Sequence, residues 1–116
     1  MTGIVLYGIP NCDTVRKARK WMDGEGVPYR FHDYRKDGTD PERLAGWVRK
    51  AGRDTLLNRR GTTWRKLPDT AKDGIDDDGA VALMAEHPAL IKRPVVEHAG
   101  GLMVGFDEAE WRAALL

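Results

Sequence analysis

The chain has 116 residues, with 19 Lys and Arg against 18 Asp and Glu, for a formal net charge of +1. That length suits one domain with a real core, over residues 1–116, and the balanced charge gives no global pull toward nucleic acid or an anionic membrane. No stretch approaches ~18 consecutive apolar residues, so none is expected to span a bilayer. A single cysteine excludes an internal disulfide and a Cys-x-x-Cys pair. With no signal-peptide pattern ahead of the first strand, the expected compartment is a reducing cytoplasm.

Residues 3–8, ending in Ile4-Val5-Leu6-Tyr7-Gly8, read as a short buried strand. Pro10-Asn11 marks a loop, and from Thr14 the apolar residues Val15, Ala18, Trp21 and Met22 fall on one face of a helix. Arg16, Lys17, Arg19 and Lys20 lie mostly on its solvated side, and Gly24 and Gly26 end it. Val27, Tyr29 and Phe31 alternate with Pro28, Arg30 and His32, which is a strand pattern. The first third is therefore β-α-β, a unit whose strands are parallel with a right-handed crossover. Its first loop sits at the carboxyl end of the sheet, where open α/β folds place ligands.

Cys12 stands between that strand and that helix. The first N–H groups of a helix have no intrahelical partner, and the aligned peptide dipoles put partial positive charge there. Both effects favour thiolate over thiol, and Arg16, one turn on, is placed to add to the same field. Cys12 is thus the candidate nucleophile. The alternative for a free cysteine is an inert buried side chain, against which its place in a loop argues.

Lys36-Asp37-Gly38 reads as a turn, Asp40 as an N-cap and Pro41 as the first helical residue. Leu44, Trp47, Val48 and Ala51 carry that helix to Gly52. Residues 49–66 hold seven basic side chains against one acidic, Asp54, the main charge asymmetry in the chain. Residues 69–79 look polar and loop-like, with Asp76, Asp77 and Asp78 accounted for by loop solvation. A helix over residues 80–86 is stopped by Pro88. Residues 90–96 lead into a strand, Gly100-Gly101 turns the chain, and a second strand over residues 102–106 completes a hairpin. Asp107 and Glu110 form a variant of the capping box, with Phe106 and Trp111 as its hydrophobic staple, before a last helix. No internal repeat, low-complexity segment or linker divides the chain.

A β-α-β unit and a β-β-α unit on one sheet, with a thiol after the first strand, make the thioredoxin arrangement. The fold class is therefore α/β, thioredoxin-like, with a helical insertion in the middle. In that fold a cis proline begins the third strand and faces the cysteine, and Pro94 is the candidate. The alternative is an ordinary trans proline opening an edge strand.

Three blocks carry a family resemblance. Residues 8–14 (Gly-Ile-Pro-Asn-Cys-Asp-Thr) with 16–21 (Arg-Lys-Ala-Arg-Lys-Trp), residues 57–65 (Leu-Asn-Arg-Arg-Gly-Thr-Thr-Trp-Arg) and residues 87–94 (His-Pro-Ala-Leu-Ile-Lys-Arg-Pro) resemble, in order, blocks of the arsenate reductase-like (ArsC/Spx) family. Val104-Gly105-Phe106 resembles the closing block of its YffB subgroup. The resemblance covers essentially the whole chain. It implies that Cys12 attacks an oxyanion or disulfide, that glutathione as co-substrate resolves the adduct, and that no metal takes part. It implies that Arg59 or Arg60, and Arg93, hold the oxyanion or a glutathione carboxylate, with Asn11, Arg16 and Pro94 completing the site. Glutaredoxin is a further partner within that scheme. Guanidinium groups suit tetrahedral oxyanions because their fixed fork donates paired hydrogen bonds. True arsenate reductases carry another arginine where this chain has Gly105. Its loss removes a charge-assisted bond of about 1.5–3 kcal/mol, which favours a glutathione-dependent thiol reductase over an arsenate reductase.

Other functions have weaker support. The basic stretch contains one aromatic, Trp64, and no stacking pattern, which disfavours nucleic acid. His32, His87 and His98 are widely spaced and read as surface or helix-end residues, not metal ligands. The four tryptophans read as core or edge packing. The second functional class is an Spx-like adaptor that binds RNA polymerase. Its usual Cys-x-x-Cys switch is missing here, since Val15 holds the second position.

Overall fold

The computed structural model describes residues 3–116, and within it the first apolar run forms β1 (Val5–Gly8), buried over its last three residues. A four-residue loop leads to α1 (Asp13–Gly24), which buries Val15, Ala18, Trp21 and Met22, the face expected from their spacing. Gly8 lets the strand run this close to the helix. A Cβ there would lie 2.8 Å from Val15 Cγ2. β2 (Arg30–Asp33) runs parallel to β1, with Val5 opposite Arg30 and Gly8 opposite Asp33. It starts later than the alternation from Val27 suggests, because the Val27 N–H bonds the Met22 carbonyl at 2.9 Å and closes α1. The turn expected at Lys36-Asp37-Gly38 is instead the end of a single helical turn, α2 (Tyr34–Asp37). Asp33 accepts the Arg35 N–H at 2.9 Å, and Gly38 at φ 78° stops the turn.

The described residues group into two compact units, residues 3–38 with Arg93–Leu116, and Thr39–Lys92. The second is the helical insertion. It opens with α3 (Pro41–Ala51), where Asp40 accepts the Glu42 N–H at 3.0 Å and Leu44, Trp47 and Val48 are buried. α4 (Arg53–Leu56) leads to an antiparallel bridge between Leu57 and Ile91. Then come α5 (Thr62–Lys66), α6 (Asp69–Lys72), α7 (Asp77–Glu86) and a 3-10 turn at Pro88–Leu90. Residues 69–79 are thus largely helical, not a loop. Asp76 is the cap of α7, accepting the Gly79 N–H at 2.8 Å. Asp77 and Asp78 occupy the first turn, where the helix dipole favours carboxylates. Asp77 also accepts a hydrogen bond from Arg53 at 2.6 Å, and that bond with the charge beside it raises the pKa of Arg53 above the ordinary arginine value.

The chain returns to the first unit as β3 (Val95–His98) and β4 (Gly101–Val104), an antiparallel hairpin. β3 pairs antiparallel with β1, Tyr7 opposite Val95, giving the sheet order β2-β1-β3-β4. This is the thioredoxin arrangement expected. β4 ends before Phe106 because Gly105 turns the chain at φ 82°. Gly105 donates its N–H to the Pro94 carbonyl at 2.8 Å, and its own carbonyl accepts the Trp111 indole N–H at 3.2 Å. α8 (Glu108–Leu115) begins as read: Asp107 accepts the Glu110 N–H at 3.0 Å, and the Phe106 and Trp111 rings meet edge-on at 4.8 Å. The core of this unit joins Leu6, Val15, Met22, Val96, Met103 and Trp111. No described helix is long and apolar enough to cross a membrane.

The contact at Gly8 yields a stability prediction. Gly8→Ala is expected to lower unfolding free energy by about 1–3 kcal/mol, as overpacked core positions do. Urea denaturation measures it. Val15→Ala in the Gly8→Ala background should recover part of that loss, and a strictly additive double mutant would contradict the contact.

Candidate functional site

Cys12 is the N-cap residue of α1. Its backbone is extended (φ −100°, ψ 127°) and its carbonyl accepts the Arg16 N–H at 2.9 Å. Most N-caps offer a side-chain oxygen to the first-turn N–H groups. A thiol is a weak acceptor, and the Cys12 side chain makes no capping hydrogen bond. Helix geometry leaves the first-turn N–H groups without intrahelical acceptors, so the positive end of the dipole faces whatever lies beside this residue. The thiol is free and half-buried, packed against the first unit's core.

Arg16 lies one turn on, but its guanidinium pairs with the Asp13 carboxylate. Both side chains are largely exposed, so the pair contributes little to stability. It does offset the cation that the sequence places near the thiol. The i,i+3 spacing of Asp13 and Arg16 is a signal of that pairing that was readable from the start. Asn11 is exposed in the loop before Cys12.

Pro94 is buried, and the Arg93–Pro94 peptide bond is cis. Since Val95 faces Tyr7 across the ladder, Pro94 lies at the carboxyl end of β1, the end from which the Cys12 loop departs. Arg93 is half-buried at the same end. Asn11, Cys12, Arg16, Arg93 and Pro94 thus share the first unit. Arg59 and Arg60 belong to the second. There Arg59 donates to Asp54 at 2.9 Å and lies 5.5 Å from the Trp64 ring centroid. Arg60 is exposed, its backbone N–H held by Asn58 Oδ1 at 3.1 Å and its carbonyl by the Arg65 guanidinium. Among the described residues, neither Arg60 nor Arg93 is in an ion pair.

Some polar contacts were not readable in the sequence. The Tyr7 hydroxyl donates to Glu97 at 2.6 Å. His32 is no surface or helix-end residue: it is a half-buried member of β2. Its Nε2 lies 2.8 Å from the Gly38 carbonyl, and its ring lies 4.8 Å from that of Tyr7. Strand register brings Tyr7 to Glu97 and to His32, and the α2 turn brings Gly38 to His32. His87 does end a helix, and Trp21, Trp47 and Trp111 are buried. Among the described residues no group of three or more His, Cys, Asp or Glu side chains is arranged to hold a metal ion.

A cysteine at a helix start, at the same end of the sheet as a cis proline, fits the resemblance described above, and a profile of the ArsC family matches residues 7–114. The chain belongs to the ArsC family. Within the family it is similar to a solved protein named YFFB, with a TM-score of 0.95 and 48% identity over 97% of this chain and 99% of that one. It is also similar to an arsenate reductase (ArsC) related protein from Brucella melitensis, with a TM-score of 0.76 and 46% identity over 95% of this chain and 92% of that one. The global transcriptional regulator Spx of Listeria innocua is 27% identical over 114 residues, 97% of this chain and 86% of the regulator. The likeness to YFFB bears out the YffB subgroup and the thioredoxin-like fold.

The Asp13–Arg16 pair gives a direct test of the local field. Asp13→Asn removes a negative charge beside Cys12 and frees the Arg16 guanidinium. Alkylation of Cys12 by iodoacetamide at pH 7 should then speed up several-fold, since both changes favour a neighbouring anion. An unchanged rate would mean that neither side chain acts on the thiol.

Proposed function

We propose that this ArsC-family protein is a cytoplasmic, glutathione-coupled thiol reductase that works through Cys12. The observation that carries the reading is an uncapped α1 N-terminus whose N-cap residue is a free, half-buried cysteine. For a disulfide substrate, the Cys12 thiolate attacks one sulfur, forms a mixed disulfide and releases the other half as a thiolate. Glutathione thiolate then attacks the mixed disulfide, leaving as a glutathione disulfide with the bound half and regenerating the Cys12 thiolate. Glutathione supplies the electrons, and no metal is needed. A small oxyanion is the alternative electrophile, and glutaredoxin an alternative source of reducing thiol.

Arg93 is assigned to the carboxylate or oxyanion of the bound partner. Its half-buried position at the carboxyl end of β1, and its lack of an ion pair among the described residues, support that role. Arg59 and Arg60 are assigned by family resemblance, with Arg60 preferred because Arg59 is engaged by Asp54. Asn11, in the loop before Cys12, and Pro94, just before β3, are assigned to the site by family resemblance. Gly105 weighs against arsenate. Its φ of 82° is one that L side chains adopt only with strain, so an arginine is disfavoured there by the backbone as well as absent from the sequence.

The Spx relative supports a second reading, an adaptor that binds RNA polymerase. In that case Cys12 is dispensable, and polymerase subunits are retained on the immobilised protein whether or not Cys12 is present.

The test is glutathione-dependent reduction of bis(2-hydroxyethyl) disulfide. Cys12→Ser is expected to fall to the uncatalysed rate. Arg93→Ala and Arg60→Ala are each expected to raise the KM for glutathione about tenfold, the loss of a charge-assisted hydrogen bond. Wild-type activity in Cys12→Ser would overturn the enzyme reading. An unchanged KM in both arginine variants would overturn their assignment to glutathione.

A further inference from the structure

A second constellation lies on the first unit, away from the thiol. Arg19, Asp23, Val27, Pro28, Tyr29 and Phe31 line a surface cleft of about 380 Å³, within the size range of small-ligand sites. Arg19 is seven residues beyond Cys12, about 10 Å along α1 at the helical rise, and faces the end of the sheet where β2 begins. The cleft is therefore separate from the Cys12 loop, and its reading does not depend on the thiol chemistry.

The lining is arranged in an unusual way. Arg19 and Asp23 are spaced i,i+4 on one helix, which ordinarily lets such side chains pair. They do not pair here. Arg19 Nε donates to the Tyr29 hydroxyl at 3.1 Å, and its guanidinium carbon lies 4.1 Å from the Phe31 ring centroid. These two contacts hold the guanidinium, so little rotamer freedom remains to be lost on binding. They use the Nε edge and one face, and leave the two Nη groups as a fork suited to a carboxylate. The Tyr29 hydroxyl accepts from Arg19 and keeps its own O–H as a donor. Asp23 is exposed and, among the described residues, in no ion pair.

We propose that this cleft binds the zwitterionic head of an amino-acid-like ligand. Its carboxylate meets Arg19 and the Tyr29 O–H, and its ammonium meets Asp23. The two lining charges cancel, so a simple anion meets repulsion from Asp23 and a simple cation meets repulsion from Arg19. Only a ligand carrying both charges satisfies both, which makes the discrimination one of attraction and repulsion together.

The experiment is a titration of the ¹⁵N-labelled full chain, followed by amide shifts, with L-glutamine as probe because its side chain is neutral. N-acetyl-L-glutamine, which keeps only the carboxylate, and L-glutaminamide, which keeps only the ammonium, are the controls. Saturable shifts centred on Arg19, Asp23, Tyr29 and Phe31 are expected, with both blocked probes binding at least about tenfold more weakly. Asp23→Asn changes an exposed side chain outside the core, and its spectrum should stay dispersed while L-glutamine affinity falls about tenfold. Arg19→Gln should weaken L-glutamine to the same extent or more. No saturable shift with L-glutamine, a blocked probe binding as tightly as the zwitterion, or unchanged affinity in Asp23→Asn would each overturn the proposal.

Discussion

The close approach of β1 to α1 at Gly8 is the constraint on which the candidate site rests. With no Cβ at that position, the strand end packs directly on Val15, and four residues suffice to carry the chain from strand to helix. The fourth of these is Cys12, which puts the cysteine at the helix start. The same strand is hydrogen-bonded on both sides, to β2 and to β3. That second pairing brings the cis Arg93–Pro94 bond to the end of the sheet from which the Cys12 loop leaves. One small residue in a central strand thereby fixes the cysteine, and the register of β3 fixes the proline.

Electrostatics around the thiol is a balance rather than a single field. The uncapped N–H groups and the dipole of α1 favour an anion. Asp13, the first residue of the helix, opposes them and also holds Arg16. The arginines that the family resemblance assigns to ligand binding differ in readiness: Arg59 is engaged by Asp54, whereas Arg60 and Arg93 are in no ion pair among the described residues. Gly105 closes the arrangement by the backbone, joining Pro94 to the Trp111 indole through its N–H and carbonyl. A residue that reads as a missing arginine in the sequence is a structural joint in the fold.

Much of this was legible because local rules decided it. The 3.6-residue spacing in α1 and α3, the caps at Asp40 and Asp107, and the Phe106–Trp111 staple need no tertiary information, and all are found. Element order was enough for the sheet and for the place of Pro94. What escaped was decided by neighbours that compete for the same groups. Val27 alternates like a strand residue, yet its N–H closes α1. The Asp76–Asp78 run has a loop's composition, but its first member caps a helix and its second bonds Arg53. His32 has the look of a surface residue in the sequence, and only the parallel register of β1 and β2 sets it beside Tyr7. The charge of Arg16 is plain in the sequence, while its partner three residues away determines what that charge does.

The most direct measurement is the rate of Cys12 alkylation by iodoacetamide at pH 6.5, in the folded protein and in the same protein unfolded in urea, with Cys12→Ser as the blank. A thiol that the helix start activates should react about tenfold faster, or more, in the folded state, despite being half-buried. A folded-state rate equal to or below the unfolded one would mean that Cys12 is a structural thiol, and would contradict the account at its centre.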